Sequence, residues 1–316
     1  MKFRLLALLF LCFSSLAFAQ NKNYKNEIGF ESDNDGFLGQ GSDRYYTAGN
    51  FIYFNHALTV TDTNKLANRV LGFEAGQKIY TPQSGVISGP IYLDRPFAGY
   101  LYAGSSINYL YKNQSNLKLE AQIGIVGPNA YGQQIQDLIH KTFGFYTPEG
   151  WQYQIQNDFE LNLSAQYNAL LAHGSNIDLS FASYANLGTG QLGAGAGGMV
   201  RFGEFNPLYN SVATSSSVSA NRKKGAGKEF FVYYKPLINV VGYNATIQGS
   251  MFASTPGVTE LTTPIEHFLV TQQAGADLAS GHWVVDASAL FETRETTIMI
   301  HPGHQWGMLT AMYRFN

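Results

Sequence analysis

Apolar and polar residues alternate through segment after segment of this chain, and that pattern most limits what it can become. From Trp283 to Arg294, the set Trp283, Val285, Ala287, Ala289 and Phe291 opposes Val284, Asp286, Ser288, Leu290, Glu292 and Arg294. The last residues repeat it, with Leu309, Ala311, Tyr313 and Phe315 opposite Thr310, Met312 and Arg314. A period of two is strand patterning, because successive side chains leave a pleated strand on opposite faces. Beyond the N-terminal segment, no apolar run reaches the roughly 18 residues that a membrane-crossing helix needs. Charged residues make up only 13% of the chain and aromatics 14%, with 33 glycines. A soluble enzyme of this size would carry about a quarter charged residues. Few charges and many aromatics on alternating strands point to a membrane β-barrel, with lipid on one face and a half-polar interior on the other.

The N-terminus fits that destination. Lys2 and Arg4 precede an apolar core, Leu5 to Phe13, and Ala17-Phe18-Ala19 forms a small-x-small cleavage site before Gln20. Residues 1–19 are expected to be a secretory signal peptide and residues 20–316 a single barrel domain. Cys12, the only cysteine, lies inside the signal, and the bulky Leu11 before it argues against a lipoprotein. The mature chain then has no disulfide and must be stabilised by its fold. Loss of Lys2 and Arg4 leaves 18 basic against 22 acidic residues, a net charge of −4 that argues against a nucleic-acid partner.

Candidate strands fall near 26–32, 45–56, 69–80, 98–111, 117–126, 151–168, 177–187, 190–203, 229–243, 266–279, 282–295 and 304–316. The reading is an all-β, 12-stranded antiparallel transmembrane barrel, with the even count that lets both termini lie at one end. Parity then puts the connections near 33–44, 81–97 and 127–150 together at the extracellular rim. The segment 204–228, Ser/Asn-rich and then basic at Arg222, Lys223, Lys224 and Lys228, falls at the opposite end. It is long for that end, and could be a loose turn or a sign of a miscounted strand.

The convincing helix lies in Gly124–Trp151, GIVGPNAYGQQIQDLIHKTFGFYTPEGW. Ile135, Leu138 and Ile139 share one face. Gln133, Gln136 and His140 cluster on the other, within an arc of about 60° at about 100° per residue. The expectation is a short α-helix in an extracellular loop that buries its apolar side and presents an imidazole. The first outer loop, Glu31-Ser-Asp33-Asn34-Asp35-Gly36, is an oxygen-rich turn suited to a hard cation such as Ca²⁺. Asp94-Arg95 would form a local ion pair at the rim or offer Arg95 to a lipid phosphate. His301 and His304 flank a Pro-Gly turn without an evident partner. No Gly-x-Ser-x-Gly elbow is present and no serine pairs clearly with His140, so an activated water is favoured over a serine nucleophile. A non-enzymatic porin or adhesin and a Ser–His outer-membrane phospholipase are the alternatives.

Taken in order, SDND…DRYYTAG, LDRPFAGYLY, GIVGPNAYGQQIQDLIH and PEGW resemble the outer-membrane lipid A 3′-O-deacylase family (LpxR) across roughly residues 25–170. The resemblance implies hydrolysis of the ester-linked 3′ acyloxyacyl chain of lipid A in lipopolysaccharide, in a Ca²⁺-dependent reaction likened to that of secreted phospholipase A2. It implies a catalytic set of His140, Asn34, Asp35 and Thr47, with Asp35 holding the metal and Gln136 at the matching position one turn before His140. Gln136 and, on the phosphate reading above, Arg95 are expected to meet substrate. The protein is expected to act in the bacterial outer membrane as a monomer, with its site at the outer leaflet. Two departures stand out. The stretch before Asp94 lacks a run of lysines, and an acidic residue that family members can place after the helix histidine meets Tyr146, with Glu149 the nearest substitute.

Overall fold

The computed structural model describes residues 23–39, 43–61, 64–220, 227–252 and 260–316. The expected signal peptide with Cys12, and the basic residues Arg222, Lys223 and Lys224, lie outside them.

Twelve strands follow one another as an up-and-down meander: β1 (Asn26–Asn34), β2 (Tyr45–Ala57), β3 (Leu66–Thr81), β4 (Ala98–Tyr111), β5 (Ser115–Val126) and β6 (Asp158–His173). They continue with β7 (Ile177–Gly188), β8 (Gln191–Glu204), β9 (Glu229–Asn244), β10 (Phe268–Ser280), β11 (Trp283–Thr293) and β12 (Gly303–Phe315). Every neighbouring pair is antiparallel, and β1 closes on β12 from Asn26–Phe315 to Asn34–Gly307. Closure removes the open edges that lipid could not hydrogen-bond. The expected strand count holds. The sixth strand begins later than its pattern suggested, because Trp151–Tyr153 is a 3-10 turn whose indole is buried beneath the rim loops.

Alternation sorts the wall as the sequence implied. In β1, Ile28 and Phe30 are about half exposed on the outer face, while Glu27 between strand and lumen is 2% exposed. In β11, Val284, Asp286 and Glu292 line the interior cavities, and Trp283 and Phe291 are exposed outside. The interior is crowded. Arg201 is fully buried, with Nε 3.0 Å from Asp178 Oδ1 and Nη1 2.7 Å from Ser211 Oγ. Ser211 Oγ in turn donates to Glu229 Oε1 at 2.7 Å.

That network explains the described part of the long β8–β9 connection, residues 205–220, which forms two 3-10 turns and no strand. Residues 205–220 fold back into the barrel end that carries the termini. Asn68 Nδ2 donates to the Val218 carbonyl at 2.8 Å, Asn108 Nδ2 to the Thr214 carbonyl at 2.7 Å, and the Ser217 hydroxyl to Glu27. Ser211 and Ser216 are wholly buried. The serines suit this place because a segment inserted among lumen carboxylates and amides must offer them donors and acceptors.

One prediction follows from the outward face. Ile52 projects from the middle of β2 and is 58% exposed on the outer wall. Ile52→Arg is expected to destabilise the barrel by about 2–4 kcal/mol, read from urea unfolding in lipid vesicles. An unchanged midpoint would contradict the lipid-facing assignment.

Candidate active site

The connections β1–β2, β3–β4 and β5–β6 meet at one rim, as parity required. Part of them turns in over the lumen, at Arg95 and Ile155, and part lies against the outside of the wall. A small apolar core forms there from Ala48, Ile79, Ile87, Leu93, Phe97 and Trp151, with Ile135 packed against it. The helix α1 (Gly132–Phe143) rests on this core. Its start approaches β4 closely: a Cβ on Gly132 would come within 2.9 Å of Gly99 Cα, and a Cβ on Gly99 within 3.0 Å of Gly132 N. Glycine at both positions lets the helix touch the wall. Gln77 Nε2 pins the approach by donating to the Ala130 carbonyl at 2.6 Å.

The helix is rotated relative to expectation, with Ile135 kept against the core. Gln136 and His140 are its buried side chains, facing the wall, while Leu138 is 59% and Phe143 69% exposed. Ile135 and Ile139 are half-buried. The reason is the surroundings. Outside a barrel wall the apolar side of an amphipathic helix can face lipid, which leaves the polar side to be satisfied against protein.

That satisfaction is a chain of hydrogen bonds ending on one carboxylate. Trp151 Nε1 donates to Gln136 Oε1 at 2.7 Å, which fixes the amide so that its Nε2 donates to Asp43 Oδ2. The same Asp43 oxygen lies 2.8 Å from His140 Nε2. At the end of α1, Gly144 takes a left-handed conformation (φ 72°) and its N–H bonds the His140 carbonyl. The chain reverses there and brings the Tyr146 carbonyl 2.6 Å from His140 Nδ1. A carbonyl only accepts, so Nδ1 carries a proton and Nε2 is the nitrogen able to exchange one. Both rings beside it, Phe145 and Tyr146, meet the imidazole edge-on.

Asp43 is the residue that motif reading passed over. It stands in SDND…DRYYTAG without a role, and its reach to His140, nearly a hundred positions away, is a product of folding alone. It supplies the support sought at Tyr146 and Glu149. Tyr146 contributes its backbone, and Glu149 is engaged through its backbone in a bridge to Val86.

Asn34, Asp35, Thr47, Gln136 and His140 all line one cleft of about 570 Å³, together with Asp43, Ile79, Phe143 and Phe145. Asn34 ends β1 on its outward face, and its Oδ1 accepts from Gly36 N at 2.7 Å. The amide nitrogen is thereby left to serve the cleft. Thr47 sits at a bulge where the β2–β3 register shifts between Tyr46 and Ala48. The bulge settles its side chain on the outer wall, 2.8 Å from Thr81 Oγ1. Asp35 opens a short 3-10 turn and is 2% exposed. Burial pushes its carboxyl pKa up to about 8, Asp43 nearby adds to the rise, and the Arg44 backbone N–H works against it.

The acidic turn does not converge as a unit. Glu31 and Asp33 point into the lumen, and only Asn34 and Asp35 reach the cleft. Strand alternation divides them, so a run of acids along the sequence becomes two sets on opposite sides of the wall. What remains in the cleft fits a hard cation: a buried carboxylate whose desolvation the nearby Arg44 only partly offsets, beside hydroxyl, amide and backbone oxygens.

Arg95 is not brought to the cleft. It is 0% exposed at the mouth of the lumen, with Nε 2.7 Å from Glu295 Oε2, Nη2 3.0 Å from Thr246 Oγ1 on the short helix α2 (Ala245–Gln248), and its guanidinium 4.1 Å over the Tyr80 ring. A guanidinium so engaged has no face left for a lipid phosphate. Nor does it pair with Asp94, which accepts instead from the Tyr45 hydroxyl, Gln83 N and Ile300 N. His301 Nε2 lies 3.1 Å from Arg44 Nη1, and His304 is buried inside the lumen.

A family model described as "Outer membrane protein LpxR" matches residues 5–315. Among solved structures, "LpxR from Salmonella typhimurium" is 21% identical, with a TM-score of 0.73 over 92% of this chain and 100% of that one. The translocator domain of the autotransporter NalP from Neisseria meningitidis aligns over 98% of this chain and 94% of its own, at 10% identity and a TM-score of 0.44. No curated protein matches the chain in sequence.

Gln136→Leu leaves the buried Trp151 Nε1 without its acceptor and Asp43 without a donor. The expected cost is about 1–3 kcal/mol for the stranded group, measured as a lower unfolding midpoint with a shifted tryptophan emission. An unaltered emission spectrum would contradict the Trp151–Gln136 link.

Proposed function

The chain belongs to the outer membrane protein LpxR family, and from that premise we propose that it is a lipid A deacylase of the bacterial outer membrane. The finer reading is hydrolysis of the ester-linked 3′ acyloxyacyl chain by a water that His140 activates. The observation that carries it is the Asp43–His140 pair, 2.8 Å apart in a cleft on the outside of the wall. A membrane lipid reaches such a cleft sideways, without entering the lumen.

His140 Nε2 takes a proton from a water that enters between it and Asp43, as that water attacks the ester carbonyl. Nδ1 stays protonated against the Tyr146 carbonyl, so the ring keeps its tautomer and orientation. The Asp43 carboxylate then holds the imidazolium, and Gln136 and Trp151 hold Asp43. The Asn34 amide is positioned to donate to the developing oxyanion, a contribution of about 3 kcal/mol for a well-aimed donor. Asp35, with Thr47 and neighbouring loop oxygens, would hold Ca²⁺, and the chemistry that ion supplies is Lewis-acid polarisation of the carbonyl. Phe37, Ile139, Phe143 and Phe145 give the cleft an apolar side suited to acyl chains.

The alternatives fare less well. A porin needs an open lumen, and this one is crowded by side chains and, at the end that carries the termini, by residues 205–220. A Ser–His pair needs a serine beside the imidazole, and among the described residues lining the cleft none is a serine.

In cells expressing the protein, mass spectrometry of lipid A should show loss of the 3′ acyl chains. His140→Ala should slow that loss about 10²–10⁴-fold, and its persistence at the wild-type rate would sink the role given to His140. Asp43→Asn should lower kcat by at least about tenfold with little change in KM, as expected for a group that supports the base. EGTA should abolish activity and added Ca²⁺ restore it. Activity that survives chelation would remove the metal from the mechanism.

A further inference from the structure

Inside the barrel, back to back with the cleft across β2, lies a second cluster that the deacylase reading leaves unused. We propose that Glu292, Glu295 and His304 form a binding site for a divalent transition metal of the Zn²⁺ class at the outer mouth of the lumen.

The strand register builds most of it. Glu292 on β11 is the direct cross-strand partner of His304 on β12, and both side chains point inward. Glu295 follows just after β11. One ligand atom from each of the three lies within 4.8 Å of the others. His304 is 4% exposed, and neither of its ring nitrogens has a hydrogen-bond partner in the protein. A buried imidazole normally satisfies at least one nitrogen, and one that binds a metal usually donates its other N–H to an oxygen acceptor. Here the ring is held by packing instead, with Trp306 stacked at 5.1 Å and Tyr45 edge-on at 5.5 Å. That packing aims an unsatisfied imidazole at two carboxylates.

Arg95 orients the third ligand. It binds Glu295 chiefly through Oε2, at 2.7 Å, whereas Oε1 is 3.4 Å from Nη2 and is the less engaged oxygen. Arg95, with Lys78 and Arg44 farther off, offsets charge on the two carboxylates, so a metal here is held by its donor atoms rather than by net charge. The donor set selects its class: an imidazole nitrogen with two carboxylate oxygens suits Zn²⁺ and its neighbours, whereas Ca²⁺ takes oxygen ligands throughout. All three residues line an interior cavity of about 370 Å³, which gives an ion room to enter. A metal there would tie the β11–β12 connection to the β3–β4 loop through Glu295 and Arg95, bracing the rim on which the cleft is built.

The test uses the full barrel refolded in detergent and stripped with EDTA, in a His140→Gln background so that the cleft imidazole contributes nothing. Zn²⁺ uptake is measured by calorimetry and by elemental analysis after desalting, and Co²⁺ is substituted to read imidazole ligation in the visible spectrum. One equivalent of Zn²⁺ is expected in H140Q, with affinity falling at least about tenfold in both H140Q/H304Q and H140Q/E292Q. Heat-modifiable migration on gels confirms that each variant is a closed barrel, and the milder E292Q change carries the test if H304Q does not fold. No Zn²⁺ uptake by H140Q, or equal uptake after the His304 and Glu292 substitutions, would overturn the site.

Discussion

A chain crossing lipid must satisfy every backbone N–H and C=O from within, and for strands this means closure. The pairing of β1 with β12 accomplishes it here, and the rest of the molecule is arranged around that fact. A closed wall has two faces and two rims. Along the strands each side chain is committed to lipid or to lumen by a period of two, so outside the lumen converging polar groups are confined to the rims. The cleft forms where three connections meet at one rim, and residues 205–220 seal the other.

The cleft is organised by one carboxylate rather than by the helix that first draws attention. Asp43 accepts from Gln136 and pairs with His140, and Trp151 orients Gln136 from behind. This explains why α1 turns its polar side inward. The helix is not displaying an imidazole to solvent; it is closing a hydrogen-bond network against the wall, with Leu138 and Phe143 left to the lipid side. Burial also gives these groups their leverage, since charge–charge interactions in a site that excludes water are strong. Asp35 feels the same environment, which is why its carboxyl is pushed up and why a cation suits it.

Buried arginines mark the other places where the fold had to balance charge. Arg201 pairs with Asp178 beside the inserted serines, and Arg95 pairs with Glu295 at the lumen mouth. Removing either partner strands a charge in the interior, which is costlier than the pair itself is stabilising. Arg95 shows how this limits reading by motif. An arginine at a rim is a natural phosphate ligand, yet its guanidinium is consumed within the barrel.

By itself the sequence determined the architecture. Alternation in Trp283–Arg294 and Leu309–Phe315, and the even strand count, specified a barrel and even which residues face lipid, because period two is a local property of the backbone. It also specified that Asn34, Asp35, Thr47 and His140 share a rim, since parity follows from the count. The tertiary structure decided everything that depends on contacts across the chain. It chose Asp43 as the partner of His140, split Glu31 and Asp33 from Asp35, sent Arg95 to Glu295 and turned 205–220 inward. Only closure of the wall, a bulge at Thr47 and the touching glycines Gly99 and Gly132 bring those residues to their places, and spacing along a strand carries no record of them.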